Sequence, residues 1–530
     1  MRSIIDRDIA RLQESIRALK SRRNELSPIS RLPTEILCNI FSLVEDNIFF
    51  SNRRPILWIN FSQVSYHWRS TALSAPELWT QIPLSLPCRW VLERLIRLKM
   101  AKLTIGFDYL YSKSNPKLIE AARSCLHEMD RVEELNLIVD PELWEEISLD
   151  LPRSAPQLHT LCIRSTRSTF TVLMDENIFH DTERLKRVEL SNCRISWDSR
   201  LLTGLTCLSL EHWSSPSSET NSSITQVLHA LQRMPALANL CLVNSIRDES
   251  EGPSTYPVVN LPCLQALRIL SDVGVLTTFL RHITIPHSSI LCLECRDKQY
   301  TQIDFSDFLS VLATKFLSSL VIRSLGLLIL ENRETNGLEF FISTTANNQD
   351  CSPSSVSSRP QVQLFLTWPL PHPHNHERAL TCAFDAMSLP FLTQLVISTD
   401  NYIDSQTWVK TFGKLPLLKQ VHLHGSALDS FLEALVYVYR TNAAEKSEIA
   451  YRDVTFPTLR HIDLGYTYFF EARTCDMLLD CLMERCERKA EVRMLHMSYC
   501  HCVTSDDVKR LKEVVVDVIW DGIDQELEEE

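Results

Sequence analysis

A short leucine-rich pattern recurs along most of the chain and constrains its fold more than any other feature. In each copy, two apolar residues three apart are followed by a third two positions later, so the last pair alternates as a buried strand does. The copies occupy residues 132–137, 158–163, 185–190, 205–210, 237–242, 264–269, 317–322, 392–397, 418–423, 459–464 and 492–497. The first six start 20 to 32 residues apart, a spacing typical of structural repeats.

Helical patterns lie between these runs, and proline introduces several of them, since proline ends a helix and favours an extended start. A single helix–strand unit cannot bury its own apolar face, so neighbouring units must stack. We therefore predict a chain of the α+β or α/β class, containing an irregular α/β solenoid with a curved parallel sheet. A non-repeating α/β domain with several leucine-rich strands is the alternative.

The predicted solenoid spans residues 86–343 and 379–516, because the pattern breaks between them. Residues 344–378 are rich in Ser, Pro, Asn, Gln and His, and only residues 362–368 carry an aliphatic run. This composition predicts an inserted and largely mobile loop. Residues 517–530 form an acidic tail, which we expect to be solvated.

The amino-terminal segment, residues 1–28, is predicted to form an amphipathic helix from Ser3 to Glu25. Its apolar residues follow a 4-3-4-3 spacing that only Arg23 interrupts: Ile5, Ile9, Leu12, Ile16, Leu19 and Leu26. This heptad seam is close to the minimum length for a coiled coil. The alternative, which we favour from the sequence, is a helix folded back on its own chain.

Residues 29–85 predict a small all-helical domain with more apolar surface than it can bury. Pro33 suits a first helical position, and an apolar stripe follows it: Ile36, Leu37, Ile40, Phe41 and Val44. Burial is marginal in so short a segment, so its large side chains need another surface. Trp68 and Trp79 either pack against the domain that follows or anchor an interface with another protein.

Three motifs in this segment resemble an F-box: Leu32-Pro33-x-Glu35-Ile36-Leu37-x-x-Ile40-Phe41, Val64-Ser65-x-x-Trp68-Arg69 and Leu78-Trp79. The resemblance implies docking onto the Skp-type adaptor of cullin–RING (SCF) ubiquitin ligases. It assigns this contact to Leu32, Pro33, Glu35, Ile36, Leu37, Ile40, Phe41, Val64, Trp68, Leu78 and Trp79. Residues 45–60 depart from the short acidic-proline turn of many F-boxes. The later runs resemble the irregular leucine-rich repeats often found behind F-boxes.

Charge and cysteine usage exclude several classes of protein. A formal charge of −12 argues against nucleic-acid binding, which needs clustered positive charge. The 17 scattered cysteines indicate reduced thiols in an intracellular protein rather than a disulfide framework. We expect no signal peptide and no membrane span, since residues 316–330 are too short to cross a bilayer. The expected location is the cytoplasm or the nucleus.

Glycine excludes the common nucleotide-binding and hydrolase motifs. The chain has only ten glycines, and no two lie within ten residues of each other. Phosphate-cradling loops and nucleophile elbows need closely spaced glycines, so we predict no cofactor and no catalytic residue. His372, His374 and His376 lack nearby Cys, Asp or Glu partners, and residues 500–502 fit zinc spacing poorly. We predict no metal site.

The function predicted from these features is that of a non-catalytic subunit of a ubiquitin ligase, which recruits an unknown substrate protein. Side chains between the paired strand leucines would point away from the core and line a recognition face. The residues predicted to contact the substrate are Glu189, Ser209, Arg268, His422, Asp463 and His496. A protein-interaction scaffold outside any ligase is one alternative, and a hydrolase with an unrecognised site is another.

Overall fold

A computed structural model shows two compact units, residues 1–220 and 221–530. It describes residues 2–50, 60, 62–83, 87–108, 116–166, 172–174, 178–179, 181–213, 222–247, 255–297, 304–331, 336–344, 360–368, 375–442, 454–469 and 471–523. Among these residues, no helix has the length and apolar character needed to cross a bilayer.

The first unit begins with helices and continues as alternating helices and strands. The helices are α1 Arg2–Glu25, α2 Thr34–Phe50, α3 Tyr66–Ser74, α4 Cys88–Arg97, α5 Pro116–Leu126 and α6 Pro141–Ser148. The strands are β1 Gln81–Pro83, β2 Leu103–Asp108, β3 Val132–Val139, β4 Thr160–Ser165, β5 Val172–Leu173, β6 Arg187–Ser191, β7 Cys193–Arg194 and β8 Cys207–Glu211. Short 3₁₀ helices include Pro28–Arg31 and Pro76–Trp79.

The second unit repeats the alternation with longer strands. Its helices are α7 Ile224–Gln232, α8 Val273–His282, α9 Ser306–Leu312, α10 Asn375–Ala386, α11 Ser405–Thr411, α12 Leu428–Asn442, α13 Glu471–Glu487 and α14 Ser505–Lys512. Its first strands are β9 Ser222–Ser223, β10 Asn239–Val243, β11 Ile246–Arg247, β12 Val259–Asn260, β13 Ala266–Asp272, β14 Ile283–Thr284, β15 Ile290–Arg296 and β16 Ser324–Glu331. The others are β17 Asn336–Ser343, β18 Val362–Trp368, β19 Gln394–Thr399, β20 Gln420–Gly425, β21 His461–Gly465, β22 Met494–Ser498 and β23 Asp517–Trp520.

The main strands of each unit pair mostly in parallel. In the first unit the order is β1-β2-β3-β4-β6-β8, with every neighbouring pair parallel. In the second unit the order is β10-β13-β15-β18-β17-β16-β19-β20-β21-β22-β23. Only β17 runs against its neighbours β16 and β18 among the strands named in that order. The chain is therefore a mixed α/β protein with amino-terminal helices and mostly parallel sheet.

The core forms because the paired apolar residues of each leucine-rich run face the helices. Leu161, Ile163, Leu395 and Ile397 are fully buried on their strands. The helices contribute aromatic side chains, and Trp408 on α11 lies 5.2 Å from Phe431 on α12 between ring centroids. Large side chains packed in this way supply most of the apolar burial that stabilises the fold.

A left-handed residue follows several strands and bonds to the neighbouring strand. Asn192, Asn244 and Tyr466 follow their strands with φ near +50°. Their N–H groups donate to the carbonyls of Glu211, Leu270 and Ser498, each in the carboxyl-terminal half of the neighbouring strand. Asparagine tolerates this backbone conformation well, whereas tyrosine adopts it at a steric cost.

Three sequence predictions for the second unit are wrong in part. Residues 317–322 form no strand, because a π-helix at Ala313–Leu317 occupies the start of that run, and the strand begins at Ser324. The predicted insert, 344–378, contains β18 and the start of α10, while 345–359 and 369–374 lie outside the described residues. The predicted tail contributes β23, which pairs in parallel with β22, and residues 524–530 are outside the described range.

The favoured interpretation of the amino-terminal helix is also wrong. Helix α1 forms almost where it was predicted, yet none of its side chains is buried. Ile5, Leu12 and Leu19 are all exposed along its apolar stripe. The helix does not fold back on the described part of its own chain.

Candidate functional site

The first candidate site is the helical domain that carries the three sequence motifs. Leu32 is extended, and the carbonyl of Pro33 accepts hydrogen bonds from the N–H groups of Ile36 and Leu37, both at 3.1 Å. These bonds close the first turn of α2. Ser65 caps α3, because its hydroxyl accepts the Trp68 N–H at 3.1 Å. Proline and a capping serine thus set where the two helices begin.

One face of α2 forms the interior of this domain. Leu37 and Phe41 are buried, and Leu78 beneath them is fully inaccessible. The Phe41 ring packs on Trp68, with 5.2 Å between centroids, and leaves the indole half-buried. Leu37, Phe41 and Leu78 therefore hold the helices together and present no surface to a partner in this conformation.

Trp79 is also an interior residue, only 2% exposed. Its indole N–H donates to the carbonyl of Ala72 at 2.8 Å. The guanidinium groups of Arg94 and Arg97, both on α4, lie 5.9 and 5.0 Å from its ring centroid. A cation over an indole face is a favourable contact. Trp79 thus packs against α4 in the part of the chain that follows the helical domain. This is the first of the two roles considered for it, and the other was to anchor an interface with another protein.

The adjoining side of α2, which we call the outer face, carries aliphatic side chains in contact with solvent. Ile36, Leu43 and Val44 are 44%, 64% and 41% exposed, and Val64 lies exposed just before α3. At 100° per residue, Ile36 and Leu43 lie on one side of the helix, and Leu37 and Phe41 lie about 130° further round, with Val44 between the two pairs. The predicted stripe is therefore buried along one edge, at Leu37 and Phe41, and exposed along the other, at Ile36 and Leu43.

The remaining predicted adaptor contacts lie at the start of α2 and on its outer side. Pro33 and Glu35 are exposed, and Leu32 and Ile40 are half-buried. Sequence reasoning missed Leu43, although its position seven residues after Ile36 is a helical repeat of the outer face. Leu43 is more exposed than Ile36 or Val44.

A cleft of about 490 Å³ lies beside this domain, lined in part by Trp79, Trp90 and Arg69. Its lining contains neither histidine nor cysteine. The carboxylate in the lining, Glu93, is held by Arg97 at 2.5 Å. This cleft gives no support to the hydrolase alternative, which needs a nucleophile with an adjacent base.

The second candidate site is a row of polar side chains across β20, β21 and β22. His422, Asp463 and His496 occupy the same register on these three parallel strands. One oxygen of Asp463, Oδ2, lies 3.1 Å from Nδ1 of His422 and 3.2 Å from Nδ1 of His496. A carboxylate only accepts hydrogen bonds, so both imidazoles present Nδ1–H to it.

A glutamine on the next strand extends this row. Gln394 on β19 contacts Nε2 of His422 at 3.2 Å, and both side chains are buried. With Nδ1–H directed to Asp463, Nε2 of His422 is the ring atom that faces the Gln394 amide. The row Gln394–His422–Asp463–His496 is therefore a hydrogen-bonded chain whose last imidazole is partly open to solvent.

The charges of this row shift two pKa values. Burial alone would raise the pKa of Asp463, but hydrogen bonds and charge from His422 and His496 outweigh it and lower the pKa. The pKa of His461, two residues earlier on β21, is lowered by burial and by the neighbouring His422. Asp463 is therefore ionised and His461 neutral near pH 7.

An aromatic cluster lies at the ends of the same strands. Tyr466 and Tyr499 stack with 4.8 Å between centroids and an angle of 5° between ring planes. Both have positive φ, which is strained for a large side chain, and both are exposed. Tyr468 and His501 stack similarly at 4.6 Å. Strain of this kind is concentrated at functional sites, and exposed tyrosines are common in protein interfaces.

The other predicted substrate contacts lie apart from this row. Glu189 and Ser209 share a register on β6 and β8 of the first unit, and Arg187 holds Glu189 at 2.8 Å. Arg268 is exposed on β13 of the second unit, next to Cys292 in register. The six predicted residues thus form three separate groups, of which one is a connected cluster.

Sequence reasoning missed Gln394, His461, Tyr466 and Tyr499. His461 had a usable signal, because it lies two residues before Asp463 and strand neighbours at that spacing share a face. The tyrosines follow the strands, and their stacking depends on strand order, which the local sequence does not encode.

Metal-ligating side chains do not converge within the described part of the chain. His372 and His374 are outside it, and Nε2 of His376 contacts the Tyr402 carbonyl at 3.2 Å. Cys500 is buried, and burial raises the pKa of its thiol. Burial likewise raises the pKa of Cys125 and Cys193, each to about 12, so these thiols are protonated near pH 7.

Comparison with known proteins bears on the first site. A family model described as F-box-like matches residues 29–85, so the chain contains an F-box-like domain at the positions of the three motifs. No curated protein matches the chain. A solved structure described as "Crystal structure of Rad7 and Elc1 complex in yeast" aligns with 80% of this chain and 93% of its own, at 14% identity and a TM-score of 0.24. At this identity and TM-score, the likeness assigns neither a fold nor a function to this chain.

Proposed function

We propose that this protein is a substrate-recognition adaptor of a cullin–RING ubiquitin ligase. In this function the F-box-like domain binds a Skp-type adaptor, and the strands behind it bind a substrate protein. The transfer of ubiquitin belongs to other subunits. The adaptor accelerates it by holding a substrate lysine close to the charged conjugating enzyme.

The outer face of α2 is the observation that carries this proposal. It presents Ile36, Leu43 and Val44 to solvent inside a domain that matches the F-box-like family model. A cluster of aliphatic side chains on one helix face is typical of a helix that binds a hydrophobic groove or helix of a partner. The buried Leu37 and Phe41 pack α2 against the rest of the domain and so keep its outer face turned to solvent.

The substrate-binding part of the proposal rests on the parallel sheet, which we interpret as an irregular leucine-rich-repeat solenoid. The left-handed residue that follows several strands and bonds to the neighbouring strand supports that interpretation. In such a fold the strand faces away from the helices form an extended recognition surface. We place the substrate contact at His496, Asp463, Tyr466 and Tyr499.

The adaptor contact is tested by capturing a Skp-type adaptor with the full chain. The double variant Ile36→Asp, Leu43→Asp introduces two charges on the outer face. We expect it to capture the adaptor at least roughly tenfold more weakly than the wild type. Leu149→Asp is the control. Leu149 is also an exposed leucine, but it lies outside the three motifs, at the end of α6. Helix content measured by circular dichroism should be unchanged in all three proteins.

Two results would contradict the proposal: a wild-type chain that captures no adaptor, or a double variant that captures it as well as the wild type. Either result favours the scaffold alternative, in which the helices merely cover the end of the strands. The buried position of Trp79 against α4 is the observation that favours such a structural role.

The substrate contact has a separate test. Tyr499→Ala with His496→Ala should change the set of proteins recovered by mild affinity purification while adaptor capture stays at the wild-type level. Arg268→Ala is the control on a distant strand. An unchanged partner set would exclude β20–β22 as the substrate-binding surface.

A further inference from the structure

Helix α1 carries an apolar stripe that the described part of the chain leaves uncovered. The helix has 24 residues, and none of them is buried. The stripe consists of Ile5, Ile9, Leu12, Ile16 and Leu19, and each is about half or more exposed. A helix with such a stripe is stabilised when another helix covers it.

The spacing assigns heptad positions to the stripe. Counting from the 4-3-4-3 pattern, Ile9 and Ile16 occupy position a, and Ile5, Leu12, Leu19 and Leu26 occupy position d. Arg2 and Arg23 fill the outer a positions. The charged residues that flank the seam are Asp6 and Lys20 at position e, and Asp8 and Arg22 at position g.

A parallel pair of these helices gains nothing from its flanking charges. In a parallel dimer, each g residue meets the e residue five positions later on the partner. Asp8 then meets Gln13, and Ser15 meets Lys20, so no opposite charges come together. The two copies of Arg23 also face each other in the seam.

An antiparallel pair brings opposite charges together. When Leu12 packs opposite Ile16 of a second copy, Ile9 packs opposite Leu19, and e residues meet e residues. Asp6 then meets Lys20 of the second copy. Asp8 meets Arg22, because g residues likewise meet g residues. Each contact occurs twice by symmetry, and each Arg23 faces Ile5 rather than another arginine.

The ion pairs made within the helix leave these flanking charges available. Arg17 pairs with Glu14 at 3.0 Å, and these residues occupy positions b and f on the outer side. Asp6, Asp8, Lys20 and Arg22 have no ion-pair partner among the described residues. Both the apolar stripe and its charged borders are therefore complementary to an antiparallel copy of the same helix.

We propose that α1 forms an antiparallel two-stranded coiled coil with α1 of a second copy of this chain. The dimer presents two F-box-like domains, one from each chain. The inference does not depend on the proposed ligase function.

The test uses the full chain and light scattering after gel filtration. The wild type should have twice the chain mass of 61.0 kDa. Variant A carries Asp6→Lys and Asp8→Arg, and variant B carries Lys20→Asp and Arg22→Asp. Each variant places like charges in contact across the dimer and should dimerise at least roughly tenfold more weakly than the wild type. An equal mixture of A and B should form the heterodimer, since every flanking contact is then opposite in charge.

The matched control reverses the outer pair, with Glu14→Arg and Arg17→Glu, and should dimerise as the wild type does. All the substituted side chains are exposed, so the body of the protein keeps its fold. Ile9→Asp with Ile16→Asp should abolish the dimer.

Four outcomes would overturn the proposal. They are a monomeric wild type, charge variants that dimerise normally, a mixture of A and B that yields no heterodimer, and an Ile9→Asp, Ile16→Asp variant that still dimerises. A monomeric wild type that sediments with phosphatidylserine vesicles would assign the basic helix to an anionic membrane surface instead.

Discussion

The F-box-like domain and the strands β20–β22 expose opposite kinds of side chain. The helical domain buries its indole Trp79 under two arginines and exposes aliphatic residues such as Leu43. The strands bury their leucines, leave His496 partly open to solvent, and are followed by the exposed Tyr466 and Tyr499. Both regions are rich in apolar residues, so composition does not distinguish them. The side-chain period distinguishes them, because a helix and a strand turn different residues of a sequence toward solvent.

The largest expected effect separates the two faces of α2. Phe41→Ala should destabilise the helical domain by about 3–5 kcal/mol, because it removes a buried ring that packs on Trp68. Ile36→Ala, on the exposed face, should change stability by about 0.5 kcal/mol or less. Amide hydrogen exchange in α3 measures both. Equal protection in the two variants would mean that the faces are not distinct.

A buried arginine provides the corresponding test in the second unit. Arg485 on α13 is 1% exposed and donates to the carbonyls of Thr455 and Phe456 at 2.9 and 2.8 Å. Arg485→Ala should cost about 3 kcal/mol, because two charge-assisted hydrogen bonds are lost. Urea unfolding followed by tryptophan fluorescence measures this loss.

Arg488, which directly follows the last residue of α13, is the control for that substitution. It pairs with Glu484 at 3.0 Å in a partly exposed position. Arg488→Ala should cost less than about 1 kcal/mol. A similar loss for both variants would show that helix α13 is sensitive to any change of charge, and not to the buried carbonyl contacts.

A smaller effect should follow from the shared carboxylate. Asp463→Asn removes a charged acceptor from two imidazoles and should destabilise the second unit by about 1 kcal/mol at pH 7. The folded-state pKa of Asp463 is below its ordinary value of 3.8, so its stabilisation is complete above that pH and disappears as pH falls through the lowered pKa. Unfolding curves of wild type and variant should therefore converge in acid. A difference that is constant down to pH 3 would contradict this.

The smallest expected effect concerns His461, whose pKa is below the usual 6.5 because of burial and His422. The unfolded chain binds a proton at this residue below pH 6.5, whereas the folded chain binds it only at lower pH. Stability should therefore fall as pH drops from 7.5 to 5.5. His461→Gln should reduce that fall, as measured by the thermal midpoint at both pH values. An identical fall in both proteins would assign the pH dependence to other groups.

Alternating leucines predicted most of the parallel strands because a strand buries every second residue. The strand β16 was missed, since its continuous run Leu327–Leu330 lacks the alternation, and the preceding residues 317–322 matched the pattern instead. The strand β17 was missed because it pairs in the antiparallel sense and belongs to no repeat. Local patterns identify strands but do not state their neighbours.

The candidate sites show the same limit. The motifs located the F-box-like domain, but the division of α2 into an inner and an outer face needed the packing of Phe41 on Trp68. For the second unit, the leucine-rich runs correctly predicted that His422, Asp463 and His496 lie on strands, each between two buried apolar residues. That the two histidines share one carboxylate oxygen depends on the register of three strands that lie far apart in sequence.

The position of β18 beside β15 has a consequence for synthesis of the chain. Strand β15 ends at Arg296, but its partner begins at Val362. A nascent chain therefore displays one bare edge of β15, with alternating leucines, while the intervening residues are still being made. Such an edge readily pairs with other chains. We therefore expect β15 to remain open to such pairing until β18 has been synthesised.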